Sequence, residues 1–222
     1  MDVEVDERGV RGHGLTLPRC RPGARKTAGL AGLIKISCHC FWGCRTGRRG
    51  LNALMLANLV AFTLENFTLV AFVAAIGFAL FCGFVVRKHP ALGWAEQFFR
   101  WIALAMGATG IYAFITHAFF PEQAAAAIGW QNSPFQFEVA VANLGFGVIA
   151  ILAFSASFGF RLAAVIGNLC WLWGDAAGHI YQMVASHNFT IGNAGSWFWL
   201  DIIYPGSALI LLLVMKFQAR CA

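Results

Sequence analysis

Residues 101–120 read WIALAMGATGIYAFITHAFF, twenty consecutive positions without an acid, a lysine or an arginine. A helix of that length measures about 30 Å at 1.5 Å per residue, which is the thickness of a bilayer's hydrocarbon core. Four more apolar runs of comparable length fall near 66–86, 136–158, 162–185 and 197–215. Turn-forming residues stand between them: Arg87 to Pro90, Pro121, Ser133 with Pro134, Gly159 to Arg161, and Gly192 to Ser196. The pattern predicts an all-α fold, a polytopic transmembrane bundle of about five spans. Trp94, Trp101, Trp130, Trp197 and Trp199 lie near the expected helix ends, where interfacial aromatics belong.

Composition supports the same reading. Hydrophobic residues make up 59% of the 222 positions and charged residues 12%, far from the balance of a water-soluble domain. The net charge of +6 is confined to the start of the chain. Ten basic and four acidic residues precede Leu51, whereas six of each sign follow it. The expected organisation is therefore a basic, disordered segment at 1–50 and a formally neutral transmembrane helical domain at 51–222. Its expected partner is the lipid bilayer; nucleic acid is not expected. Within the first segment Cys38, His39, Cys40 and Cys44 carry zinc-ligand chemistry but lack the second paired half of the usual spacing. Cys82, Cys170 and Cys221 read as isolated apolar residues.

Arg87, Lys88 and Arg100 flank the first connection, Arg161 the third, and Lys216 and Arg220 the C-terminus; connections two and four have no Lys or Arg. Those basic ends are expected on the cytoplasmic side of a bacterial inner membrane. Five spans then leave the N-terminus outside, in conflict with ten basic residues there. Either the chain begins near Met55, the reading preferred here, or residues 28–60 supply a further membrane-associated segment.

Ionisable side chains are costly in lipid, so those that persist point to function. Counted along each helix from its basic end, His117 stands about 26 Å beyond Arg100, Asp175 about 21 Å and His179 about 27 Å beyond Arg161, and Asp201 about 22 Å from Lys216. These positions share the outer third of the core, with Glu138 and Glu65 near its boundary. Asp175 and His179 are spaced i, i+4 and share one helix face with Asn168 and Gln182. A carboxylate beside an imidazole suits proton transfer; joined by Glu138 or His117, the pair could also ligate a metal. The expected ligand-binding set is Glu138, Asp175, His179, His117, Asp201, Asn143 and Gln182. A plain alternative is a buried network holding the helices in register, with Asn143, Tyr112, Thr116 and Tyr204 as partners. Gly107, Gly110, Gly145 and Gly147 are expected to permit close helix approach, and Ser186 to Ser196 to cap the outer mouth. Asn188-Phe189-Thr190 matches a glycosylation sequon, a frequent chance occurrence.

The stretches FPEQAAAAIGWQNSPFQFEVAVAN (120–143), GDAAGHIYQM (174–183) and NAG (193–195) resemble an uncharacterised bacterial family of small polytopic membrane proteins, a domain of unknown function, across roughly residues 60–217. The Phe-Pro helix end, the short Gly-containing connection and the helix opening with Glu138 are more distantly similar to the DoxX-like four-helix proteins, some of which are associated with quinone-linked sulfur or thiol oxidation. That likeness implies architecture and a role for Glu138. The first implies no activity. No phosphate loop, nucleophile elbow or haem-attachment motif occurs, so enzymatic turnover stays open. The expected function is a multi-pass inner-membrane protein with an outer-leaflet polar pocket for a small ligand, a lipid-soluble molecule such as a quinone, or a metal. A small proton-coupled transporter and a structural or accessory subunit, homo-oligomeric or not, are the alternatives.

Overall fold

The computed structural model describes residues 48–83 and 93–221. Residues 1–47, with the cysteine and histidine set, lie outside the described part, as do Arg87 and Lys88. The described residues are helical and contain no strand. In chain order the helices are α1 (Arg48–Glu65), α2 (Phe67–Phe81), α3 (Trp94–Phe119), α4 (Pro121–Ile128), α5 (Phe135–Leu152), α6 (Phe158–Ser186), α7 (Ile191–Ala194) and α8 (Ser196–Cys221).

The five long apolar runs become α2, α3, α5, α6 and α8. α3 sits centrally, packed on α2, α5 and α8, and α6 closes the bundle between α5 and α8. Three stretches are long and apolar enough to cross a membrane: α3, α5 and the α7–α8 stretch Ile191–Arg220. A fourth arises if Asn52–Glu65 and Phe67–Phe81, which meet at 89°, count as one broken span. α6 is long enough at 29 residues, but Arg161, Asn168, Asp175, His179 and Gln182 make it too polar to join them.

The bundle is small-residue inside and large-residue outside. Ala75, Ala95, Ala103, Ala150, Ala164 and Ala208 are buried in one core with Phe99, Ile102, Met106, Val165, Leu200, Tyr204 and Leu212. Phe135, Phe137, Val141, Leu152, Ile180, Val184, Ile203, Ile210 and Leu213 are exposed. A water-soluble monomer rarely shows so much apolar surface, whereas helices packed in lipid place small residues between themselves. The α3–α5 crossing is the tightest example. A β-carbon on Gly107 would stand 2.7 Å from the Gly147 carbonyl oxygen, and one on Gly110 2.9 Å from the Gly147 α-carbon. Gly145, expected to serve the same contact, faces open space.

The α1–α2 break is built into the end of the bundle where α8 begins. Three side chains, two from α8 and one from α3, hold its polar groups: the Tyr112 hydroxyl donates to the Leu64 carbonyl, the Trp197 indole to the Glu65 carbonyl, and the Ser196 hydroxyl to Asn66 Oδ1. These satisfy helix-end carbonyls that the bend releases. Trp197 therefore turns inward, as Trp101 does by stacking on Phe78, while Trp94 and Trp199 stay exposed as interfacial residues would.

At the other end lies a saturated ionic clamp. The buried Arg161 guanidinium, 5% exposed, forms a two-pronged pair with Glu96 at 2.7 and 2.9 Å and also donates to the Ala153 and Phe154 carbonyls. Arg100 donates to the same carboxylate at 2.7 Å. The clamp ties the start of α3 to the end of α5 and the start of α6. Arg161 is thus spent inside the protein and is not a free flanking charge.

Candidate functional site

α6 turns Arg161, Asn168, Ala176 and His179 into the bundle, the helical period that its sequence spacing dictates. His179 is 8% exposed. Its ring lies beside Trp130 at 5.4 Å between centroids and edge-on to Phe198 at 6.4 Å. One turn before it on α6 stands Asp175, half-buried, and Asp201 approaches from α8. The Asp201 Oδ2 lies 3.8 Å from His179 Nε2, with its side chain 14% exposed. Asp175 and Asp201 are within electrostatic reach of each other.

The other side of the imidazole is fixed by Asn193 of α7, which is 0% exposed. Its Nδ2 donates to the His179 and Asn188 carbonyls at 3.2 and 2.9 Å. Its Oδ1 accepts from the Trp130 indole at 2.9 Å and faces His179 Nδ1 at 2.9 Å. An indole N–H only donates, and an amide nitrogen bound to two carbonyls only donates, so Oδ1 is an acceptor and His179 Nδ1 carries the proton. Nε2 is then the ring's available atom, and it faces Asp201. The 3.8 Å separation is too long for a direct hydrogen bond and wide enough for a bridging donor. Among the described residues neither Asp175 nor Asp201 has a hydrogen-bond partner, and no fully sealed side-chain polar atom is left unpaired. The carboxylates therefore keep some access.

A polar cap covers this cluster. α4 ends at Gly129, whose φ of 72° is the left-handed conformation glycine adopts freely. Its last carbonyls are bonded from the 187–195 connection: Asn188 Nδ2 donates to Ile128 and Gly129, and the Thr190 hydroxyl to Ile128. Gly192 seats against Ala127 and Ile128 with no room for a side chain. The connection is thus stapled to α4. The sequon residue Asn188 has its amide engaged in that staple.

The remaining candidates go elsewhere. His117 Nδ1 lies 2.8 Å from Gln136 Nε2, in a shallow open depression bordered by Pro121, Asn132, Ser133 and Phe137. Asn143 bonds the Val139 carbonyl and accepts from the Trp171 indole, joining α5 to α6. Asn168 bonds the Ala164 carbonyl and, across the same interface, that of Phe146. Gln182 is half-buried without a side-chain hydrogen bond among the described residues, and Glu138 is exposed at the start of α5, equally unbonded. Among the described residues no three His, Cys, Asp or Glu side chains come together as a metal site.

Two members of the cluster's frame were not among the expected ligands. Trp130 reads in sequence as an interfacial aromatic and Asn193 as a turn residue. The signal was the position of both in connections facing the polar α6 stripe. Trp130, His179 and Asn193 come from three stretches, 120–143, 174–183 and 193–195, which the fold brings to one point.

No curated protein and no solved structure matches the chain. Over residues 65–220, a stretch that holds the whole bundle from the α1–α2 break onward, the chain belongs to DUF6790, a family of unknown function.

Proposed function

We propose that this chain is a multi-pass inner-membrane protein that binds a small lipid-accessible molecule between Asp175, His179 and Asp201 near the outer face. The observation that carries the reading is the 3.8 Å gap between His179 Nε2 and Asp201 Oδ2, held open while the far side of the same imidazole is fixed by Asn193 and Trp130. A network built only for register would close that gap, since unpaired polar groups in an apolar bundle are costly. In this reading α6 is the fifth span, its polar face turned inward. Arg100, Lys216 and Arg220 mark the cytoplasmic end. The saturated Glu96–Arg161 clamp at that end favours binding over passage, because it offers no free group to continue a polar path across the bundle.

The test is to purify the full chain in mild detergent and analyse the organic extract by mass spectrometry for co-purified lipids, quinones and other small molecules. A molecule retained by the wild type and lost in both Asp201→Asn and His179→Ala supports the reading. Equal retention in both variants overturns it.

A further inference from the structure

Read as a binding site, the cluster also indicates what it binds. We infer that Asp175, His179 and Asp201 take a protonated primary amine, an ammonium head seated between His179 Nε2 and the Asp201 carboxylate; this rests on the reading of that cluster as a ligand site.

Hydrogen-bond polarity comes first. Asn193 receives the Nδ1 proton of His179 because its own Oδ1 already serves the Trp130 indole and its Nδ2 is spent on two carbonyls. The buried imidazole therefore presents a lone pair at Nε2, aimed at Asp201 and bonded to nothing among the described residues. Across the gap the Asp201 carboxylate, in the ionised form that a bound cation would favour, is an acceptor too. Two acceptors 3.8 Å apart call for one atom carrying at least two hydrogens, a water or an ammonium, and the charge of the site chooses between them. An ammonium has three donors and no acceptor. A hydroxyl supplies one donor, and a quinone carbonyl or a carboxylate none.

Charge points the same way. No lysine or arginine occurs between Arg100 and Arg161 or between Arg161 and Lys216, so none stands on the segments that form the cluster and its cap. Among the described residues two carboxylates thus share a low-dielectric site without a protein counter-ion, and a ligand cation supplies one. The walls fit as well. Trp130 and Phe198 flank the imidazole, so aromatic side chains lie beside the ring.

The experiment uses three probes of one chain length: hexylammonium, 1-hexanol and hexanoate, each titrated at neutral pH against the full chain in mild detergent, read as a shift in melting temperature. Hexylammonium is expected to stabilise in a saturable manner, and hexanol and hexanoate are not. Asp201→Asn and Asp175→Asn should each weaken the apparent affinity for hexylammonium by about tenfold or more, the worth of a charge-assisted contact. Glu122→Gln, at an exposed carboxylate of α4, should leave it unchanged. An equal shift from hexanol, a hexylammonium effect that survives Asp201→Asn, or no hexylammonium effect overturns the amine assignment. If a neutral molecule nonetheless co-purifies and is lost in Asp201→Asn, the amine class alone has failed and the pocket stands.

Discussion

The bundle has two ionic clusters, one at each end, built on opposite terms. At one end Glu96 meets Arg161 and Arg100 at 2.7–2.9 Å, and Arg161 uses two further hydrogens on the Ala153 and Phe154 carbonyls. At the other end Asp175 and Asp201 have no bonded partner among the described residues, and His179 stops 3.8 Å short of Asp201. Both clusters sit in apolar surroundings where an unmatched charge is costly. A saturated cluster is a complete structural device with nothing left to offer. An unsaturated one held open by a rigid frame is where a ligand, a proton or a water belongs.

The contrast breaks most visibly at the clamp. Arg161→Met leaves the Glu96 carboxylate in the bundle with only Arg100, and orphans two carbonyls at the end of α5. The expected loss is about 3–5 kcal/mol, read as a collapse of the melting transition in detergent. Adding Glu96→Met should recover much of it, because two apolar side chains replace a matched pair more cheaply than one unmatched charge. A double variant as unstable as the single would mean that the clamp acts chiefly through the α5 carbonyls.

Next in size is the frame of the outer cluster. Asn193→Ala removes four contacts at once, with the His179 ring, the Trp130 indole and two carbonyls. Leaving buried polar groups unpaired costs about 1–3 kcal/mol, so a loss near the top of that range is expected. The informative readout is the nitrogen spectrum of the imidazole. In the wild type Nδ1 should carry the proton, and in the variant that preference should disappear. An unchanged tautomer would show that Asn193 positions the cap and not the ring.

How far these features could be read in the sequence follows from the physics that sets them. Helix existence depends on local apolar length, so the five runs were legible, and the i, i+4 spacing put Asp175 and His179 on one face. Span boundaries depended on tertiary contacts. α3 begins at Trp94, seven residues before its apolar run, because Glu96 there finds Arg161, 65 positions away. The right-angle break at Asn66 was hidden for the same reason, since the Leu64 and Glu65 carbonyls are satisfied by Tyr112 and Trp197, and the Asn66 side chain by Ser196, all from distant helices. Depth along a helix was countable, but rotation about the axis was not. Glu138 and His117 share the level of Asp201 by count, yet one faces outward and the other sits with Gln136.

The α3–α5 crossing offers a smaller and cleaner pair. A methyl group on Gly107 would press on the Gly147 carbonyl at 2.7 Å and on the Ile151 nitrogen at 2.9 Å, both backbone atoms that cannot step aside. Gly107→Ala should cost about 1–3 kcal/mol. Gly145→Ala, on the opposite, open face of α5, should be neutral or stabilise by up to about 1 kcal/mol, as glycine removal from a helix interior does. Equal costs at the two sites would mean that close approach is not what the glycines provide.

The smallest stability effect should accompany the largest functional one. Asp201→Asn removes a charge that the folded chain does not pair while keeping the side chain's size and a polar head. Nothing hydrogen-bonded is lost, and the cost of holding a carboxylate beside Asp175 disappears. The melting temperature in the absence of ligand should therefore stay within the equivalent of about 1 kcal/mol of the wild type, or rise, while retention of the bound molecule falls. A carboxylate that existed to hold α6 against α8 would give the opposite result, with a large destabilisation and unchanged retention. The 3.8 Å gap separates the two outcomes in advance, because a contact that is not made in the folded protein cannot be what the protein loses when the residue is changed.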